Sequence, residues 1–252
     1  MIPYTTVDTN DPDPIFPWVN VGLIGLNFLV FFYELTLAAQ GGGLLDNLLN
    51  GYAVVPCEYT NHCAVYAGAP HPFWIALLTS MFLHGGWAHI LGNMLFLYVF
   101  GNGIERSMGH GRYLGFYLLC GMGANALEIL TAANSNLPGL GASGAIAGVL
   151  GAYLVLYPTS RIGALIPLGF IFFLPLRLPA WLFIVGWFGI QLLDGVMALS
   201  NTTAGGVAYW AHVGGFATGL ALVRLFTQPA RVQQLRTSHA HAYQLSNQRR
   251  TN

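Results

Sequence analysis

Apolar residues run along the chain in long blocks, separated by short stretches rich in polar residues, glycine or proline. A helix that crosses a bilayer needs about 20 mostly apolar residues. Six blocks meet or approach that length, at 18–39, 87–103, 113–133, 143–157, 180–199 and 208–226. The pattern predicts an all-α membrane domain of six transmembrane helices over 18–226. An inner-side (cytoplasmic) segment, 1–17, precedes it. A polar tail, 227–252, follows it with the composition of a disordered segment.

Two stretches need separate treatment. The connection 40–86 carries Gly41-Gly42-Gly43, several prolines, Cys57 and Cys63, and an apolar patch at 72–78. That patch is too short to cross and predicts an interfacial helix. Residues 162–178 are apolar enough to suggest a seventh span, but Pro167, Pro175 and Pro179 oppose a regular helix. The arginines decide between the two readings. There is no Lys, and all nine basic residues are Arg. With six spans and the N-terminus inside, Arg106 and Arg112 follow span two, and Arg161 and Arg177 follow span four. Arg224, Arg231, Arg236, Arg249 and Arg250 lie at the inner end of span six or in the tail. Every basic residue then faces one side, as the positive-inside rule prefers. A seventh span would separate Arg161 from Arg177. The expectation is therefore a loop over 162–178 at the inner interface.

Composition agrees. The 252 residues are 55% hydrophobic and only 7% charged, against about 25% charged in soluble domains. A soluble fold of this size could not build its charged shell. The net charge of zero points to no nucleic-acid partner. Asp8, Asp11 and Asp13 stand where a cleavable signal would carry positive charge, so the first span is expected to be retained. Cys57 and Cys63 either form a disulfide, if their loop faces an oxidising compartment, or remain two thiols. Their spacing does not fit a zinc knuckle.

Polar side chains inside membrane spans are costly and often functional. Three clusters stand out. Gly141-Ala142-Ser143-Gly144 opens span four, with Gly144 and Gly148 forming a small-residue face. Ala211-His212 opens span six, followed by Gly215 and Gly219 at the same spacing. Only span five separates the two, so spans four and six run the same way. Ser143 and His212 then both sit near outer helix ends, where two glycine faces allow close approach. A hydroxyl becomes a useful nucleophile when a base accepts its proton. No acid lies near His212 in sequence, which favours a Ser–His pair over a triad. The third cluster is His84, His89 and Asn93, leading into span two. His89 and Asn93, four apart, share a helix face. With the Ser143 N–H they could donate to an oxyanion. Other readings remain for these residues. They include helix–helix hydrogen bonding, a His84/His89/His212 metal cluster, and a transport path through Asn125, Glu128, Gln191 and Asp194.

Together these stretches resemble the rhomboid family. The resemblance rests on His84, His89 and Asn93 in an HxxxxHxxxN pattern, GxSG at 141–144, and AHxxGxxxG from Ala211. Phe100-Gly101, Glu105, Gly109, Leu178-Pro179-Ala180-Trp181 and Gln191 add to it. It covers about residues 75–226. It implies a six-helix bundle with a wet cavity open to the outer face, and cleavage of other membrane proteins without cofactor or metal. Ser143 would be the nucleophile and His212 the base. His89, Asn93 and the Ser143 N–H would form the oxyanion site, supported by His84, Gly141, Gly144, Gly215 and Gly219. The expected partners are membrane-protein substrates and the lipid bilayer, in a bacterial plasma membrane. The chain departs from some relatives in two places. Its first outer loop has no Arg, and Ala147 stands where some carry a Tyr that packs on the histidine. A scaffold of the same fold that binds helices without cutting them is the non-enzymatic alternative.

Overall fold

The computed structural model describes residues 2–6, 16–69, 73–167, 173–200 and 208–237. Strand β1 (Ile2–Thr6) precedes α1 (Trp18–Gln40), α2 (Leu44–Tyr52) and α3 (Pro56–Tyr59). Short helical turns follow: a 3₁₀ turn at Phe73–Ile75, α4 (Ala76–Thr79) and a second 3₁₀ turn at Ser80–Phe82. These realise the helix expected at the apolar patch, except that 70–72 lie outside the described residues. Next come α5 (Trp87–Phe96), a π-helical turn at Leu97–Gly101 and α6 (Asn102–Met108), which together form one pass. Helices α7 (His110–Thr131) and α8 (Ser143–Leu156) precede strands β2 (Arg161–Pro167) and β3 (Phe173–Pro179). Helices α9 (Ala180–Ser200) and α10 (Tyr209–Phe226) complete the bundle.

Among the described residues, three helices are long and apolar enough to cross a membrane: Trp18–Gln40, His110–Thr131 and Ala180–Met197. Helix α8 is a shorter apolar helix, buried from Gly144 to Tyr153. With the 87–108 pass and α10, the arrangement follows the predicted six-helix order to within a few residues. The central helix can be short because α7 and α10 enclose it.

Small residues make that enclosure possible. A Cβ on Gly215 would run into the Gly144 carbonyl, and one on Gly219 into the Gly148 backbone. A Cβ on Gly214 would stand 2.7 Å from the Gly123 carbonyl oxygen. Backbone therefore meets backbone where α10 crosses α8 and α7. In a membrane, where apolar side chains gain little by leaving lipid, this close approach is what holds helices together.

Polar anchors tie the bundle at both ends. At one end the buried Glu105 carboxylate accepts the N–H groups of Val19 (3.0 Å) and Asn20 (2.7 Å). These belong to the first turn of α1, whose donors lack helical partners. His110 Nδ1 also reaches Glu105, at 2.5 Å. At the other end the Glu34 carboxylate accepts the His84 N–H at 3.1 Å. Glu128 accepts the Ala211 N–H at 2.9 Å.

Two segments differ from expectation. Residues 161–179 form an antiparallel hairpin rather than a loop, running in register from Arg161↔Pro179 to Pro167↔Phe173. β1 pairs with β2 through Ile2↔Leu165 and completes a three-stranded sheet in an otherwise helical molecule. The prolines that exclude a helix do not exclude this sheet. Pro175 lies on β3, an edge strand, and Pro167 and Pro179 are strand-terminal residues, positions that need no donor. Arg161 and Arg177 thus stay together, without a seventh span between them. The tail differs too, since 227–237 is ordered, with a helix over 229–237. Gln228 donates to the carbonyls of Ser107 and Met108 (both 2.9 Å), and Arg236 donates to that of Leu156 (3.0 Å). These are unpaired carbonyls at the ends of α6 and α8. Val232 and Leu235 are buried beneath. The expected disorder of 238–252 falls outside the described residues.

Near the Ser143 end, Cys57 and Cys63 are joined in a disulfide, with Cα atoms 5.3 Å apart. The loop that carries them grips the segment leading to Ser143. Val54 bridges Gly139, Cys57 N–H donates to the Ser135 carbonyl (3.0 Å), and Thr60 donates to that of Ala133 (2.6 Å).

Two outcomes follow from this architecture. Gly219→Ala should lower stability by about 1–3 kcal/mol, the usual cost of overpacking. Gly22→Ala, where a Cβ meets nothing within 4 Å, should not. Denaturant or thermal unfolding in detergent compares them, and equal stability of the two variants contradicts the packing account. Alkylation of the unfolded, unreduced chain should modify Cys120 alone. Reduction should expose all three cysteines, and three adducts before reduction would contradict the disulfide.

Candidate active site

Helix α8 begins at Ser143, and His212 lies in the first turn of α10. The glycine contacts between these co-oriented helices bring the side chains together. His212 Nε2 lies 2.8 Å from Ser143 Oγ. His212 is 8% exposed, enough to keep contact with the surface while most of the ring is buried. The other ring nitrogen, Nδ1, lies 2.6 Å from Gln191 Oε1 on α9. An amide oxygen only accepts, so Nδ1 carries the proton and Nε2 presents its lone pair to the serine hydroxyl.

The third cluster converges on the same place. The Phe82 carbonyl, 3.3 Å from His84 Nδ1, accepts a hydrogen bond from that nitrogen. His84 Nε2 therefore accepts from Asn93 Nδ2, at 3.0 Å. This bond orients the Asn93 amide and leaves its second N–H free to donate. Asn93 is buried on α5. His89 Nδ1 accepts a long 3.4 Å bond from the Gly85 N–H, which leaves Nε2 as the donor. That Nε2 lies 2.7 Å from where a Gly141 Cβ would be, and Asn93 Nδ2 lies 3.6 Å from it. Gly141 also has φ +119°, a conformation that L side chains rarely adopt. Glycine at 141 is thus required twice. It allows the turn into Ser143 and makes room for His89 and Asn93 beside it. The first N–H groups of α8, including that of Ser143, have no intrahelical partner. Two side-chain donors and a helix N-terminus therefore surround one spot next to the hydroxyl.

A small cavity opens beside Ser143, lined by Met81, Asn125, Glu128, Leu140 and Ala208 among others. Of the polar residues considered for a transport path, three make defined cross-links. Asn125 donates to the Leu77 carbonyl (2.8 Å) and Ser80 Oγ (3.0 Å). Glu128 holds the Ala211 N–H, and Gln191 holds His212. Among the described residues, no three His, Cys, Asp or Glu side chains are grouped to hold a metal ion.

The structure thus brings Ser143, His212, His84, His89, Asn93 and Gly141 into one site, with Gly144, Gly215 and Gly219 beneath it. Two contributions escaped the sequence reading. Gln191 belongs to the resembling pattern, but its contact with His212 depends on how α9 is rotated. Trp187, one turn earlier, has its ring centroid 5.9 Å from that of His212. It covers the imidazole, a task that the buried Ala147 cannot perform. The only sequence signal was one amide in the apolar run of span five.

Comparison with known proteins gives the family. Residues 71–229 match the model of the Rhomboid domain. Rhomboid-like protein 11, chloroplastic, of Arabidopsis thaliana is 31% identical over 167 residues, covering 62% of this chain and 54% of that protein. Rhomboid protease GluP of Bacillus subtilis (strain 168) is 42% identical over 88 residues, 35% of this chain and 17% of that protein. Rhomboid protease AarA of Providencia stuartii is 30% identical over 147 residues, 53% of this chain and 48% of that protein. The chain spans about half the length, or less, of these curated relatives. A domain match over more than half of the chain, with multi-pass helices around a serine and a histidine, makes this integral membrane protein a member of the rhomboid family.

Proposed function

We propose that the chain is an intramembrane serine endopeptidase that cleaves other membrane proteins within or beside their transmembrane segments. The observation that carries this reading is the 2.8 Å approach of Ser143 Oγ to His212 Nε2. Ser143 attacks the scissile carbonyl while His212 takes its proton, forming a tetrahedral intermediate. His212 gives that proton to the amine as the C–N bond breaks, which leaves the acyl-enzyme, and then activates the water that releases the acyl group. The negative oxygen of each tetrahedral intermediate sits among Asn93, His89 and the Ser143 N–H, with His84 orienting Asn93. Donors aimed in advance stabilise developing charge without reorganisation. No cofactor or metal enters the scheme.

The substrate has to offer an accessible carbonyl. A transmembrane helix has its backbone groups paired internally. Segments with helix-destabilising and small residues are therefore the expected targets. The disulfide-bearing loop packs near Ser143. The 229–237 helix packs against the other end of α8, where Arg236 meets Leu156, and the arginine-bearing strands follow that end in the chain. This polarity supports a site that opens to the outer, oxidising side of a bacterial plasma membrane.

Ser143→Ala should reduce cleavage of a model transmembrane substrate by about a million-fold, to background. It should also abolish labelling by a fluorophosphonate probe without changing the unfolding temperature. Asn93→Ala should lower kcat about 100- to 1,000-fold, the typical loss of one oxyanion donor. Unchanged cleavage by the Ser143 variant rejects the proposal.

A further inference from the structure

His212 is held by more than the serine it faces. Its Nδ1 meets Gln191 Oε1 at 2.6 Å, and its ring lies beside that of Trp187, tilted by 42° with centroids 5.9 Å apart. Gln191 and Trp187 lie four residues apart on α9, so they present one helix face to the imidazole. We propose that Gln191 is the positioning residue for His212, its side-chain oxygen selecting the Nδ1–H tautomer that aims the Nε2 lone pair at Ser143. This rests on the protease reading of the site.

A neutral imidazole has one donor and one acceptor nitrogen, and its partners decide which is which. If the proton moved to Nε2, the ring would donate to Ser143 and could not take its proton. An acceptor at Nδ1 prevents this. A carboxylate would serve in water, but a buried charge without a counter-ion carries a heavy desolvation penalty. An amide supplies the same oxygen without the charge. Glu128, an acid on α7, is committed to the Ala211 N–H. Trp187, also beside the ring, offers no acceptor. Gln191 therefore fills the orienting role of a triad acid, and does so as a neutral group.

The test uses the full chain in detergent or liposomes, with Gln191→Leu, Gln191→Met and Gln191→Glu. Removing the oxygen should lower kcat about 10- to 100-fold, the range seen when the partner that orients a histidine is lost. KM and unfolding temperature should stay near wild type. Gln191→Glu keeps an acceptor oxygen but buries a charge, so it should keep the Nδ1–H tautomer while lowering the unfolding temperature. Nitrogen-15 NMR of labelled histidine should show His212 protonated at Nδ1 in wild type. The Leu and Met variants should lose that single tautomer. Wild-type kcat or an unchanged tautomer in the Leu and Met variants, or loss of the Nδ1–H tautomer in the Glu variant, overturns the proposal. The Ser143→Ala control separates the two readings: if it still cleaves, the protease assignment fails, and the NMR result alone decides the role of Gln191.

Discussion

The site depends on one approach, the contact of the α8 and α10 backbones at Gly144, Gly148, Gly215 and Gly219. Where these helices meet, no side chain stands between them. The distance from Ser143 to His212 is therefore set by main chain rather than by adjustable rotamers. This matters in a bilayer, where hydrophobic burial does not draw apolar helices together. Cys120, placed where a Cβ on Gly148 would also clash, closes the contact from the α7 side.

Buried polar groups then fix the parts that close packing leaves free. Three carboxylates in the bundle core have backbone work to do. Glu105 satisfies the start of α1, Glu34 the turn at His84, and Glu128 the start of α10. An unpaired N–H at a helix start costs most where water is absent. These acids therefore anchor each pass to a neighbour. The same logic extends into the site, where His84 orients Asn93 and Gln191 orients His212.

Much of this was legible in the sequence, because membrane length, arginine placement and small-residue spacing are strong local signals. The spans at 18–39 and 143–157 were bounded by apolar content alone. The Ser143–His212 meeting was expected from the shared direction of spans four and six. The sheet was hidden for a physical reason. Pairing of β1 with β2 joins residues far apart in sequence, and the prolines read as interruptions when they are edge or terminal strand positions. The order of 227–237 was hidden because it depends on carbonyls contributed by α6 and α8. The partner of His212 was hidden because an apolar helix such as α9 carries little periodicity from which to read its rotation.

The π turn at Leu97–Gly101 lets one membrane pass serve two masters. Adding a residue to a turn rotates everything beyond it by about 100° relative to a regular helix. The upper half of the pass can thus point Asn93 toward Gly141 while the lower half points Glu105 at the beginning of α1. A chain one residue shorter between 97 and 101 would span the same lipid with the same composition. Its two halves would be out of phase, and either the oxyanion donors or the clasp on the first helix would face the wrong neighbour.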